Sequence, residues 1–107
     1  MRTFHHFGIP VKDVKEGASY NEDLKLWLTD IVSSPNHFEF LKFEEGSCMP
    51  AIIQELPHAA YIVPSLDEEL KDKEVLFGPV EVNGVLRIAF IQEEGIPIEV
   101  MEHISKA

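Results

Sequence analysis

The two halves of this 107-residue chain show the same order of secondary-structure patterns, and this internal repeat constrains the fold more than any other feature. In the first half, alternation and β-forming side chains from Thr3 to Val11 predict a strand. A loose apolar stripe then predicts a helix over residues 14–27. Three strand patterns follow, in the segments DIVSSPN (30–36), HFEFLKFEEG (37–46) and PAIIQEL (50–56).

The second half begins again with a strand pattern, HAAYIVP, and continues with a predicted helix over 66–72. Ser65 followed three residues later by Glu68 is typical of a capping box at the start of that helix. Three strand patterns complete the half, EVLFGPVEV, LRIAFIQ and IPIEVME, joined by Gly-containing hairpin turns. We therefore expect an α+β protein with one domain over 1–107, built from two βαβββ modules of about 1–56 and about 57–107.

The charge balance excludes one broad class of partner. Nine Lys and Arg against 19 Asp and Glu give a net charge of −10, which repels nucleic acid and anionic membrane surfaces. A single cysteine, Cys48, cannot form an internal disulfide, and no apolar run approaches the ~18 residues of a membrane span. These features predict a cytoplasmic protein that binds neither nucleic acid nor membrane.

Four polar side chains occupy equivalent places in the two halves. His6 and His58 lie near the start of each half's first strand, while Gln54 and Glu99 lie in the predicted last strands. If the halves pair about a pseudo-twofold axis, these residues converge and form an N/O site suited to Zn²⁺, Ni²⁺, Co²⁺, Mn²⁺ or Fe²⁺. The alternatives are ordinary core or surface histidines, and His5 in place of His6 as the ligand.

The segments HFGIPV, IIQEL, HAAYIV and IPIEVME, in this order within a doubled βαβββ pattern, resemble the vicinal oxygen chelate superfamily, also called the glyoxalase/bleomycin resistance/dioxygenase superfamily. The resemblance covers nearly the whole chain. It implies two modules that form curved mixed sheets around a central cavity holding one divalent metal ion. Carried over position by position, the implied ligands are His6, Gln54, His58 and Glu99.

The resemblance also implies a chemistry, namely proton abstraction next to a carbonyl of a small metal-chelating substrate. The ligand set His, Gln, His, Glu is similar to methylmalonyl-CoA epimerase, whereas glyoxalase I normally has Glu or His where this pattern has Gln54. Glu99 would act as the base and Glu39 would return the proton. Arg87 is a candidate anchor for a substrate carboxylate, with a surface salt bridge as the alternative, and no basic cluster for CoA stands out.

Other functions stay open at this stage. Two histidines and one Glu without Gln54 would make an Fe(II) facial triad, as in extradiol dioxygenases. A metal-free small-molecule binding protein of the bleomycin-resistance type is the second alternative, and an interaction protein whose polar residues pair with one another is the third. Because members of the superfamily commonly dimerise, the resemblance further implies a homodimer.

Overall fold

The computed structural model describes residues 1–104, in which eight strands form one continuous mixed sheet. The strand order across the sheet is β2-β3-β4-β1-β5-β8-β7-β6. The strands are β1 (Thr3–Pro10), β2 (Ser19–Asn21), β3 (Leu26–Leu28), β4 (Phe38–Phe43), β5 (His58–Ile62), β6 (Glu74–Val82), β7 (Leu86–Glu93) and β8 (Ile96–His103). The helices are α1 (Ala51–Glu55), α2 (Leu66–Leu70) and a 3₁₀ turn, Ile31–Ser33.

The sheet has the symmetry that the repeat predicts. Strands β1 and β5 pair antiparallel at its centre, and each pairs on its other side, in parallel, with the last strand of its own half. An antiparallel hairpin then extends the sheet at both edges, as β2–β3 and β6–β7. The α+β architecture with a curled mixed sheet is therefore confirmed.

The helix predicted over 14–27 is wrong, because this segment turns and forms the hairpin β2–β3. The Asn21 side chain accepts a hydrogen bond from the Leu24 backbone N–H, a local contact that favours a turn over a helix. Leu24, Leu26 and Leu28 all face the concave side of the sheet. Their spacing of two residues is the period of a strand. The apolar residues at roughly helical spacing in the same segment mask this period.

The strand predicted for PAIIQEL is also wrong, because these residues form helix α1. The Pro50 carbonyl accepts hydrogen bonds from the backbone N–H groups of Ile53 and Gln54, and Ile53 is completely buried. A short apolar run has no periodicity long enough to separate a helical turn from a strand. The short strand expected in DIVSSPN is likewise replaced by the 3₁₀ turn, which Asp30 caps by accepting from Val32 N–H.

The second half follows its predicted order. Ser65 caps α2 by accepting from the Glu68 backbone N–H, although the helix ends at Leu70 rather than at residue 72. Leu66 anchors α2 on the convex face of the sheet in a core cluster with Val63, Ala89, Ile91 and Val100. A second cluster lies on the concave face and contains Met49, Ile53, Ala60, Ile88, Phe90 and Met101. Within residues 1–104, no helix has the length and hydropathy needed to cross a bilayer.

Candidate metal centre

Two His–Glu pairs, one from each half, converge on the concave face at the centre of the sheet. His6 on β1 and Glu39 on β4 form the first pair, and His58 on β5 and Glu99 on β8 form the second. Their registers correspond: Glu39 lies beside the residue two after His6, and Glu99 lies beside Ala60, the residue two after His58. The pseudo-twofold axis of the sheet therefore relates the two pairs.

Three contacts between the donor atoms of these side chains have the spacing of neighbouring ligands around one ion. His6 Nε2 lies 3.3 Å from Glu39 Oε1 and 3.5 Å from Glu99 Oε1. His58 Nε2 lies 3.2 Å from the same oxygen of Glu99. Metal–ligand bonds of about 2.0–2.2 Å separate adjacent ligands by roughly 3.0–3.5 Å. The cluster His6, Glu39 and His58, with ligand atoms all within 4.8 Å of one another, could therefore hold a metal ion.

Unpaired nitrogen atoms give a second reason for a cation at this position. Among residues 1–104, His6 Nε2 and both ring nitrogens of His58 are buried without a hydrogen-bond partner. The carboxylates approach them closely, yet none of these contacts has hydrogen-bond geometry. Leaving such an atom unpaired costs about 1–3 kcal/mol, and a divalent ion would accept the lone pairs of both Nε2 atoms.

The electrostatics of the site favour positive charge between the two carboxylates. Burial acts to lower the pKa of His6, but the neighbouring carboxylates of Glu39 and Glu99 outweigh burial and raise it to about 9. Burial acts to raise the pKa of Glu99, but the imidazoles of His58 and His6 outweigh it and lower the value to about 2. A metal ion would replace the proton of His6 and meet an ionised Glu99.

His5 lies beside the cluster because β1 contains a bulge. The register passes from Phe4–Tyr61 to His6–Ala60, so His5 is the extra residue and both histidines reach the cavity. His5 Nδ1 lies 2.8 Å from His6 Nδ1, which leaves His6 Nε2 directed at the carboxylates. Burial and the nearby His6 lower the pKa of His5. Strict alternation along β1 would place His5 on the face opposite to His6, and it does not anticipate a bulge.

Gly8 makes room for His58. The two residues are cross-strand partners, and a Cβ atom at position 8 would overlap Cε1 and Nε2 of the His58 ring. A side chain at this position would therefore displace the imidazole from the cluster.

The site opens into a cavity of about 400 Å³ with largely apolar walls. Gln54 does not line the cavity. It lies on α1, and its side-chain Nε2 donates a hydrogen bond to the Met49 carbonyl at 2.8 Å. Arg87 does not line it either, and its guanidinium lies 3.5 Å from Asp67. The positions expected for a second ligand and for a substrate anchor are therefore not at the cavity.

Glu39, expected as a proton shuttle, occupies the position equivalent to Glu99. A signal for this existed in the sequence: Phe38-Glu39-Phe40 and Ile98-Glu99-Val100 are the same apolar–Glu–apolar triplet in the last strand of each half. The strand predicted at 50–56 conceals this signal, because it makes PAIIQEL and not FEFLKF the last strand of the first half.

Comparisons with known proteins bear on the fold. No protein-family model matches the chain, and no curated protein matches it in sequence. The fold is similar to that of hypothetical protein BH1468 from Bacillus halodurans C-125, with a TM-score of 0.68 and 20% identity over 99% of this chain and 97% of that one. It is also similar to methylmalonyl-CoA epimerase from Mycobacterium tuberculosis, with a TM-score of 0.62 and 18% identity over 96% of this chain and 89% of that one. The curled mixed-sheet fold expected from the sequence resemblance is thus confirmed.

Proposed function

We propose that this protein is a metal-dependent lyase or isomerase that abstracts a proton next to a carbonyl of a small substrate with two neighbouring oxygens. The proposed ligands of the metal ion are His6, Glu39, His58 and Glu99. The observation that carries the proposal is the convergence of two symmetry-related His–Glu pairs whose buried Nε2 atoms lack hydrogen-bond partners. The ion is one of Zn²⁺, Ni²⁺, Co²⁺, Mn²⁺ or Fe²⁺, which all accept imidazole and carboxylate ligands.

The revised ligand set changes which branch of the superfamily the site resembles. With Glu39 in place of Gln54, the set becomes His, Glu, His, Glu. Glyoxalase I, which normally has Glu or His at the second position, then fits better than methylmalonyl-CoA epimerase, whose set contains Gln. The similarity in fold to an epimerase does not separate the two, because identity is only 18%.

The chain's own side chains would move the proton. A bound ion supplies Lewis-acid stabilisation of negative charge on the substrate oxygen. Glu99 is ionised at neutral pH and buried, so it is available as a base once it turns from the imidazoles toward a substrate C–H. Glu39 faces the same cavity from the other half of the sheet. Two carboxylates related by a pseudo-twofold axis are suited to removing a proton from one side of a carbon and returning it from the other.

Metal content tests the proposed centre. Elemental mass spectrometry of untagged protein, purified without chelator and reconstituted with each ion, should give about one equivalent in the wild type. His58→Ala and Glu39→Ala should lose it, whereas Gln54→Ala, the matched control, should keep it. A wild type that stays metal-free after reconstitution would overturn the proposal, and loss in Gln54→Ala alone would restore the original ligand set.

The chemistry is tested by hydrogen exchange in D₂O. The holoprotein should exchange the C–H next to the carbonyl of hemithioacetals, α-hydroxythioesters or α-hydroxyketones, followed by NMR. Glu99→Gln should abolish exchange because it removes the base. Oxygen uptake with catechols under iron loading would instead favour the extradiol-dioxygenase alternative.

A metal-free binding protein is the second candidate function, and the apolar cavity of about 400 Å³ favours it. In that case an apolar fluorescent probe should bind equally to the wild type and to His58→Ala, and no preparation should retain metal.

We further propose that the protein is a homodimer. Phe4 and Phe7 are 44% and 42% exposed, and they contact each other on the face opposite to His6, where no helix of the first half covers them. A second copy would remove this aromatic surface from water. A monomeric mass by light scattering at micromolar concentration would contradict the proposal.

A further inference from the structure

The walls of the cavity beyond the four proposed ligands are mainly apolar in both halves of the sheet. Leu24, Leu26 and Leu28 line it from the first half, and Val82 and Leu86 line it from the β6–β7 hairpin. Its remaining polar lining, apart from His5, consists of neutral or acidic side chains, namely Ser19, Asn21, Thr29 and Asp30. A ligand bound next to the centre would therefore contact mostly hydrocarbon.

Within residues 1–104, no Lys or Arg lines this cavity. Six of the eight Lys and Arg residues within 1–104 have partners elsewhere. Arg2 bridges Glu69 and Glu93, Arg87 lies beside Asp67, and Lys15 lies over the Phe40 ring. Lys42, Lys71 and Lys73 form ion pairs with Glu44, Glu68 and Glu93 respectively.

The charges at the proposed centre cancel. A divalent ion would be balanced by Glu39 and Glu99, with the ligating imidazoles of His6 and His58 neutral. A carboxylate or phosphate group on a substrate would then enter an apolar cavity. The metal ion is the only positive charge there, and it would already be bound by the reacting oxygens of the substrate. Burying an unpaired anion is costly, and Asp30 and the net charge of −10 would repel it during approach.

We propose that the substrate of this site is an uncharged, mainly apolar α-hydroxycarbonyl compound, rather than a conjugate of an anionic carrier. This inference rests on the proposed function and specifies its substrate class. For the α-hydroxycarbonyl compound, the C–H bond next to the carbonyl breaks, its proton passes to Glu99, and the electron pair moves to the carbonyl oxygen. The proton is then returned either to the same carbon or to the former carbonyl carbon. In the second case the hydroxyl proton passes to the other oxygen, so that no other reactant is needed.

The test compares two probes with the same chelating group, benzohydroxamic acid and 4-carboxybenzohydroxamic acid. Their affinities for metal-loaded protein are measured by calorimetry at low ionic strength, after metal content has been determined. Benzohydroxamic acid should bind at least about tenfold more tightly, because only the second probe carries a carboxylate beyond the chelating group into the apolar part of the cavity. Leu86→Arg, which adds a cation to the wall, should reduce that ratio, whereas Val85→Arg, exposed at the adjacent turn, should leave it unchanged.

The outcomes separate the inference from the function on which it rests. Equal or tighter binding of the carboxylated probe to metal-loaded wild type would overturn the inference and leave the metal centre intact. Failure of both probes to bind loaded protein would overturn the inference as well. Absence of metal from the reconstituted wild type would remove the proposed function and the inference together.

Discussion

At the scale of single residues, the site depends on what lies beside the proposed ligands. Gly8 has no side chain where the His58 ring passes, and His5 meets the ring nitrogen of His6 that faces away from the carboxylates. Partners of this kind orient the ligands of metal sites and typically change metal affinity by about 10- to 100-fold.

Gly8→Ala should weaken metal binding by at least about 10- to 100-fold, because the added Cβ would displace the His58 imidazole. Metal affinity by competition with a chromophoric chelator measures this change. Thr3→Ala, at an exposed position of the same strand, should bind as the wild type does. Unchanged affinity in Gly8→Ala would show that His58 is not required at its observed position.

His5→Ala should weaken metal binding by about 10- to 100-fold without abolishing it, because His6 would lose the partner of its Nδ1. Saturation at excess metal distinguishes this effect from loss of a ligand. His103→Ala, an exposed histidine at the end of β8, serves as the control. If His5→Ala lost all metal while His6→Ala kept it, His5 would be the ligand and the assignment on β1 would be wrong.

At the scale of elements, the two halves differ in how the convex face of the sheet is covered. In the second half, α2 covers the convex face of the sheet through Leu66. In the first half, no helix lies between β1 and β2, and aromatic side chains of β1 stay exposed. The stability of the second half should therefore depend strongly on one short helix.

Leu66→Ala should lower the free energy of unfolding by about 2–5 kcal/mol, because this side chain is completely buried and its removal leaves a cavity. Urea unfolding followed by circular dichroism measures the change. Asp67→Ala, on the exposed side of the same helix, is the control and should stay within ~0.5 kcal/mol of the wild type. A Leu66→Ala protein as stable as this control would mean that α2 contributes little to the fold.

At the scale of the whole molecule, ion pairs connect elements distant in sequence. Arg2, next to the start of β1, contacts Glu69 on α2 at 3.0 Å and Glu93 at the end of β7 at 2.9 Å. Arg2, followed by Lys73, lowers the pKa of Glu93 to about 2. Since the folded state then binds fewer protons than the unfolded chain, this carboxylate stabilises the fold above its ordinary pKa, and the contribution disappears as pH falls through about 2.

Glu93→Gln should therefore reduce stability by about 1 kcal/mol at pH 7, a figure that allows for solvent screening of a surface network. The difference from wild type should shrink below about pH 4.5 and vanish near pH 2, because the wild-type carboxylate becomes protonated. Urea unfolding at pH 7, 4 and 2.5 tests this dependence. Glu16→Gln, in an exposed loop, should show no such pH dependence.

The sequence by itself determined the elements whose causes are local. Alternation placed β1, β4 and β5, Gly-containing turns placed the hairpins of the second half, and Ser65 placed the start of α2. His6, His58 and Glu99 could be assigned to a common site because the repeat related them. The division into modules of about 1–56 and about 57–107 remains a prediction.

Only the tertiary structure decided which fourth residue lies beside His6, His58 and Glu99, and which side chains line the surrounding cavity. Glu39 meets His6 because β4 pairs in parallel with β1. About 30 residues separate the two in sequence, and the helix predicted between them is wrong. The bulge at His5 and the cavity without cations likewise arise from pairings between strands distant in sequence. Local propensity carries no information on such pairings, since register and curvature are set by the contacts that the strands make with one another.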